Sequence, residues 1–417
     1  MVLEEVQPKE KFWRVRQTTE QICSPLTAED FVVQPVVDVS PPKWHLGHTT
    51  WFFETFILIP HKKGYVPFDD KFNYIFNSYY ESVGERLIRT NRGNLTRPGV
   101  KEVLTYRQYV DEHMDSFLEA GVSPEVESLL ELGLQHEQQH QELLFYDIKY
   151  ILGTNPLFPE YLPGSKSVRN SGSPDFGMIN VEEGIYQIGH QDKGFSFDNE
   201  SGVHKVFLHD YSIMDRLVTN GDYLEFIQDG GYQNFRFWLS EGWDWVNNEK
   251  IKAPFHWHNK DGKWYYYSLK GGLQELDLSQ PVTHVSFFEA DAFAKWKGMR
   301  LPTEFEWEVA CRQQDHDLEK CNFMENDHYN PIAKTATNTQ FYGDVWEWTG
   351  SAYLPYPYYQ APEGAVGEYN GKFMINQMVL RGGSCATSVS HIRSTYRNFF
   401  HPNLRWMFSG FRLANFL

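Results

Sequence analysis

Proline and glycine punctuation is what most limits the folds open to this chain. Up to about Leu152 both residues are sparse and apolar side chains recur every three or four positions, the period of a helix that buries one face. Helices are expected over residues 46–58, 105–120 and 123–153. In the last of these Ser123 can cap the free amides, Pro124 suits the first helical position, and Gly153 suits a left-handed residue at the C-terminal end. Leu129, Leu130, Leu134, Leu143, Leu144 and Ile148 supply its buried stripe. Long helices with short links imply a helical bundle over residues 1–155. Residues 156–175, with Pro156, Pro159, Pro163, Gly164, Gly172 and Pro174, read as a linker. From 176 to 417 the runs are short and strand-like, glycines are frequent and helices brief, two of them opened by the capping boxes Ser286–Glu289 and Thr303–Glu306. The expected fold class is therefore α+β, a bundle followed by a loop-rich domain held by buried Trp and by Gly turns.

Composition narrows the function. With 41% apolar and 22% charged residues, the 417-residue chain folds around a core and is not a disordered segment. Its net charge of −17 sets it against nucleic acid and anionic membrane, so neither is expected as a partner. The first residues carry acids where a secretory signal carries bases. The most apolar run, 51–60, is too short for a bilayer and contains Glu54. Cys23, Cys311, Cys321 and Cys385 show no C-x-x-C spacing, which is the pattern of reduced thiols in a cytoplasmic protein.

The sharpest chemical signal is His136-Glu137-Gln138-Gln139-His140. Spacing of i, i+4 puts both imidazoles on one helical face, able to grip one metal ion. An H-E-x-x-H string commonly means zinc with Glu as general base, and the bland reading is two solvated histidines on a Gln/Glu-rich face. The segment Trp44 to Glu54, at a second helix of the same bundle, offers His45 and His48, and facing helices of a bundle build metal sites. A third histidine would complete a three-His face. On an octahedral ion that leaves three positions open, on tetrahedral zinc one, and the ligand types alone do not choose the metal. A third cluster holds Tyr79 and Tyr80, then Arg86 and Arg89. Arginine pairs recognise carboxylates and a tyrosine near a metal can donate a proton, while the bland reading is surface Arg and core Tyr. In the C-terminal half most motifs read as turn glycines and buried Trp. Asn398 with Phe399 and Phe400 is the exception, because an amide beside ring faces can hold a carboxylate and a quaternary ammonium.

These motifs carry a resemblance. W-H-x-x-H followed by F-F-E (Trp44–Glu54) and H-E-x-Q-H-x-E (His136–Glu142) resemble the DinB-like helical bundle. GIYQIG (Gly184–Gly189), RLPTEFEWE (Arg300–Glu308), GDVWEWT, RGGS and GFRLA resemble the formylglycine-generating-enzyme/sulfatase-modifying domain, which has a C-type-lectin-like fold. Together and in this order they resemble the ergothioneine-biosynthesis sulfoxide synthases, the EgtB family of hercynine oxygenases. The resemblance implies a non-haem Fe(2+) enzyme that joins hercynine to a thiol with O2, its metal held by His48, His136 and His140. It implies further that Gln139 contacts hercynine and that Asn398 and Phe399 hold its carboxylate and ammonium ends.

Departures from the family pattern bear on the thiol. Members using γ-glutamylcysteine carry an Asp and an Arg at the positions matching Phe400 and Leu404, so L-cysteine is the expected sulfur donor here. Those members also use a C-terminal tyrosine where this chain has Val366, three residues before Tyr369, so Tyr79 or Tyr80 is expected to take the proton-donor role. Arg86 and Arg89 are then the candidates for the cysteine carboxylate. The alternatives are the same chemistry with γ-glutamylcysteine, histidine or a selenosugar, and, more distantly, a zinc hydrolase built on HEQQH. Formylglycine-generating activity is not expected, because the paired C-terminal cysteines it needs are absent near 397–412.

Overall fold

The computed structural model describes residues 7–164, 175–334, 339–363, 367 and 370–417. The chain divides into two compact units, Met1–Asn155 with Glu363–Tyr369, and Pro156–Pro362 with Asn370–Leu417.

The first unit is helical: α1 (Pro8–Cys23), α2 (Pro42–Phe53), α3 (Ile59–His61), α4 (Phe72–Phe76), α5 (Val100–Glu119) and α6 (Pro124–Gly153). α1 packs on α6, and α2 lies against both α5 and α6. Helix starts differ from the sequence expectation: α2 begins at Pro42, with proline in its first turn, and α5 begins at Val100 behind Gly99. Ser123 Oγ accepts from Val126 N at 3.4 Å, as expected of a cap. Gly153, expected in a left-handed conformation, is instead the last helical residue. Thr154 caps the helix in a right-handed conformation, and its hydroxyl satisfies the Tyr150 carbonyl at 2.7 Å. Within the expected stripe of α6, Leu130, Leu134, Leu144 and Ile148 are buried, while Leu129 and Leu143 are half-buried.

Two local features position α2, the first against α6 and the second at its C-terminal end against α5. Gly133 faces Phe52 and Phe53, and a Cβ there would lie 2.8 Å from a ring carbon of each, so glycine lets the helix backbone approach two aromatic rings. Beyond Phe53, α2 widens into one π-turn at Glu54–Leu58. The Glu54 carboxylate is fixed there by Tyr65 OH and Tyr106 OH, each at 2.6 Å, and by Phe68 N at 3.1 Å.

The second unit is mixed. Its helices are α7 (Asn220–Gln228), α8 (Ser240–Asn248), α9 (Phe287–Trp296) and α10 (Glu304–Arg312). Its strands are β1 (Met178–Val181), β2 (Gly184–Ile188), β3 (His204–Leu208), β4 (Tyr211–Met214), β5 (Trp257–Lys260), β6 (Lys263–Ser268), β7 (Gly272–Glu275), β8 (Trp346–Ala352), β9 (Met378–Arg381), β10 (Asn398–Phe400), β11 (Ser409–Gly410) and β12 (Ala414–Phe416). They form sheets ordered β1-β4-β12, β10-β9-β8-β11, β5-β6-β7 and the hairpin β2-β3. Ser286 and Thr303 cap α9 and α10 through the reciprocal boxes expected from the sequence. Part of the stretch expected as linker, 165–174, lies outside the described residues. Before it, Tyr161 N and Leu162 N bond to the Leu269 carbonyl, each at 3.1 Å.

The acidic motif residues of this unit are structural. Glu304 takes a forked pair from Arg397 (Nε 2.9 Å, Nη2 3.0 Å), and Arg381 Nη2 reaches Glu304, Glu308 and Tyr356 OH within 2.8–3.0 Å. Arg397 is thereby fixed beside Asn398, and β10 is placed through buried charge pairs as well as through its ladder to β9. Among the described residues no disulfide forms, and no helix is long and apolar enough to cross a membrane.

Candidate metal centre

α2 and α6 deliver three imidazoles to one point. One ring nitrogen each of His48, His136 and His140 lies within 4.8 Å of the other two, and all three residues are buried. Ring centroids stand 5.0 Å (His48–His136), 4.7 Å (His48–His140) and 4.7 Å (His136–His140) apart. His48 is gripped by its own helix: Trp44, one turn earlier, stacks on it at 4.5 Å and 15°, and Trp51, one turn later, at 5.6 Å and 14°. Its Nδ1 is 2.6 Å from the Phe76 carbonyl, which can only accept, so Nδ1 carries the proton and Nε2 keeps its lone pair. Burial lowers the pKa of all three rings, with the like-charge effect of His136 next in cause for His48 and His140. His136 falls to about 4, against an opposing pull from Glu137. Neutral imidazoles are the form a metal requires.

The donor set fits a metal ion. His48 Nε2 and both nitrogens of His136 are buried without a hydrogen-bond partner. Such orphaned polar atoms cost about 1–3 kcal/mol each unless something else satisfies them. Three neutral imidazoles converging in this way match one divalent transition-metal ion.

Glu137 decides against the hydrolase alternative. Its side chain is fully buried, and Oε2 accepts from Arg16 Nη1 at 2.7 Å. Oε1 accepts from Arg107 Nη2 at 2.7 Å and from Thr19 Oγ1 at 2.6 Å. Burial alone would push this carboxyl up, but Arg107 and Arg16 outweigh it and hold the pKa at about 2. A carboxylate so engaged cannot serve as base to a metal-bound water, so the Glu of HEQQH braces the bundle while its two histidines face the triad. Asp111, at 2.7 Å from Arg16 Nε, completes the buried charge cluster.

Of the two histidines on α2, His45 is not in the triad. Its Nδ1 is 2.8 Å from His140 Nδ1 and its Nε2 is 2.9 Å from Asp147 Oδ2. Tyr80 is buried and sits one ring away from His48: it lies 5.5 Å from Trp51 and 4.6 Å from half-buried Tyr79. Gln139 is half-buried, between the two α6 ligands in sequence. Arg86 is half-exposed and pairs with Glu81 at 2.8 Å. Arg89 is exposed and donates to the Asp38 carbonyl at 2.6 Å. The arginine packed on the ligand layer is one the sequence reading missed. Arg92 is buried, its guanidinium carbon 3.3 Å from the Trp44 ring centroid, held by Ser40 and Ser78 hydroxyls at 2.8 and 2.9 Å. In the sequence Arg92 stands three residues beyond Arg89, the same spacing that separates Arg89 from Arg86, so nothing local marked it out. Asp147 was missed as well, although it is a carboxylate placed two turns beyond His140 on the same face of α6.

In the second unit, Asn398 sits in β10 opposite Leu380, its Oδ1 accepting from Phe399 N at 2.9 Å. Phe399 stacks on Tyr353 at 4.1 Å and 10°, and Phe400 meets Trp406 edge-on at 5.1 Å. Val366 and Tyr369 lie outside the described residues.

Comparison with known proteins follows the same division. Residues 166–417 match the sulfatase-modifying factor enzyme 1-like domain, and residues 11–144 match the DinB superfamily. The hercynine oxygenase of Mycolicibacterium thermoresistibile is 32% identical over 317 residues, 67% of this chain and 67% of that protein. That of Mycolicibacterium smegmatis is 32% identical over 314 residues, 68% of this chain and 70% of that protein. The hercynine oxygenase of Mycobacterium tuberculosis is 34% identical over 245 residues, 54% of this chain and 56% of that protein. With a DinB-type helical unit leading a sulfatase-modifying unit, and with this similarity spread over two thirds of the chain, the protein belongs to the hercynine oxygenase family and is an oxygenase.

Proposed function

We propose that this enzyme is a cytoplasmic, Fe(2+)-dependent sulfoxide synthase that couples hercynine to L-cysteine with O2, giving hercynylcysteine sulfoxide and water in ergothioneine biosynthesis. The observation that carries the reading is the convergence of three buried neutral imidazoles, His48, His136 and His140, whose neighbouring glutamate is taken out of play by two arginines. An iron ion bound there would supply a redox-active Lewis acid with positions open to small ligands. The electron count closes without a further reductant. Carbon–sulfur bond formation releases two electrons and oxidation of sulfur to sulfoxide two more, and together they reduce O2 to one water and one sulfoxide oxygen.

The chain's own residues take the remaining roles. Tyr80, or Tyr79 tilted against it, holds the proton delivered during sulfur transfer, at the end of a ring series Trp51–Tyr80–Tyr79 that leads away from His48. Gln139 orients hercynine. Asn398 offers an amide to its carboxylate, and Phe399 with Phe400 offers ring faces to its trimethylammonium, a contact worth about 0.5–2 kcal/mol. Arg86 and Arg89 take the cysteine carboxylate. Phe400 and half-buried Leu404 carry no charge that could pair with a γ-glutamyl group, which favours free cysteine.

One competition assay tests the reading. Hercynine or histidine is offered with cysteine, γ-glutamylcysteine or a selenosugar, while O2 uptake and products are followed. Hercynine with cysteine is the expected pair. Preferred turnover of γ-glutamylcysteine would overturn the Phe400 and Leu404 argument, and an absence of uptake with every pair would overturn the function.

A further inference from the structure

The three ligands differ in what stands behind them. His48 donates to a neutral carbonyl, and His136 has no hydrogen-bond partner on either ring nitrogen. Behind His140 stands a second imidazole, and behind that a carboxylate: His140 Nδ1 to His45 Nδ1 is 2.8 Å, and His45 Nε2 to Asp147 Oδ2 is 2.9 Å. Both His45 and Asp147 are buried, and Ser40 N donates to the same Asp147 oxygen at 2.9 Å.

We propose that Asp147 and His45 are positioning residues that lock His140 in its metal-binding tautomer and make it the strongest electron donor of the triad. The inference rests on the reading that the triad holds iron. Each of the two short contacts needs one proton, and only one arrangement of neutral rings serves both. Asp147 Oδ2 accepts, so His45 carries its proton on Nε2. His45 Nδ1 is then an acceptor, so His140 carries its proton on Nδ1 and its Nε2 lone pair is free for the metal. The opposite arrangement would set two lone pairs against each other at 2.9 Å between His45 and Asp147. The tautomer is thus chosen by the protein before any ion arrives. Once an ion is bound, hydrogen bonding to a carboxylate through the intervening ring raises the basicity of His140, as a directly bonded carboxylate does for ordinary metal-ligating histidines. The relay spans two helices, with His45 on α2 and His140 and Asp147 on α6, so it also fixes the register in which α2 presents His48.

The test is an anaerobic Fe(II) titration of the metal-free full chain, with the reduction potential of the bound iron and the melting of the metal-free protein measured alongside. The variants are Asp147→Asn, His45→Phe and the double variant. Asp147→Asn keeps the shape and removes the charge. It is expected to weaken Fe(II) binding by about 10- to 100-fold and to raise the potential, because less negative charge reaches the ion, with about 59 mV for each tenfold by which ferric iron loses more than ferrous. The two residues act in series, so the double variant should be no worse than the poorer single variant. A purely structural pair would lower melting and leave the potential unmoved. Asp147→Asn binding within twofold of the parent at an unchanged potential, or additive losses in the double variant, would overturn the relay while the triad stands. If the folded parent protein binds no Fe(II), the triad reading fails and the relay with it.

Discussion

Replacing Glu137 by Gln should destabilise the helical unit without emptying the metal site. In the parent, Glu137 is fully buried and makes three bonds of 2.6–2.7 Å to Arg16, Arg107 and Thr19. Glutamine keeps the shape but leaves two buried guanidiniums with less negative charge than they need: Asp111 is then shared between Arg16 and Arg107, and Arg107's remaining ion pair is to exposed Glu20 at 3.2 Å. Breaking a buried pair by removing one partner costs about 3–5 kcal/mol. The proton equilibrium gives a similar size. Holding the carboxyl at about 2 against an ordinary value near 4.5 is worth about 3 kcal/mol at neutral pH. The sign follows from the depression: this stability is present above the unfolded pKa and is lost as pH falls towards the folded one, so parent and variant should converge in acid. For a unit of this size about 3 kcal/mol is roughly 6–12 °C in melting temperature. Calorimetry with parallel Fe(II) titration is the assay. The expected result is a drop of that order in the helical transition, with iron affinity within a few-fold of the parent. Melting unchanged together with abolished turnover would refute the argument and restore Glu137 as a catalytic base.

Three further perturbations follow from particular contacts. Gly133→Ala sets helix propensity, which favours alanine by about 1 kcal/mol, against a Cβ placed 2.8 Å from Phe52 and Phe53. The clash should win, so the variant should melt lower and bind Fe(II) more weakly, and a more stable variant would show that the rings yield freely. Burial pushes Asp344 up to about 6 despite bonds from Ile332 N, Asn322 and Gln340, so its contribution to stability is full below about 3.8 and is lost as pH rises through 6. Denaturation of the second unit between pH 4 and 7 should show a decline of up to about 3 kcal/mol that Asp344→Asn flattens, and parallel profiles would exclude Asp344 as its source. Tyr79→Phe and Tyr80→Phe, made singly, should shift product from sulfoxide towards simple thiol oxidation in one variant only. Normal rate and product ratio in both would remove the tyrosines from the proton-donor role.

What the sequence made legible was whatever a single helix or turn specifies. The i, i+4 histidines, the Ser123 cap and the two capping boxes depend on neighbours within a few residues, and each stands where the spacing puts it. What stayed hidden depends on distant partners. His45 and His48 lie three residues apart on one helix, and no local rule says which of them joins the triad. The choice is made by Asp147, 102 residues from His45, and by the Phe76 carbonyl, 28 residues from His48. Glu137 looked like a catalytic glutamate because the arginine that neutralises its Oε2, Arg16, is 121 residues away. Arg86, Arg89 and Arg92 share a three-residue spacing, and only burial over Trp44 singles out the last. The middle of α6 is polar in sequence yet buried at His136–Gln138 and His140–Glu142, which composition alone would have placed in solvent.

In the proposed function His48, His136 and His140 together hold one iron ion that carries O2 chemistry. The most direct test is metal stoichiometry of the anaerobically reconstituted protein and of His136→Ala, joined to O2 uptake with hercynine and cysteine. One Fe(II) per chain and coupled uptake are expected in the parent, and neither in the variant. Zinc retained in place of iron with no uptake, or iron held equally well without His136, would contradict the proposed function.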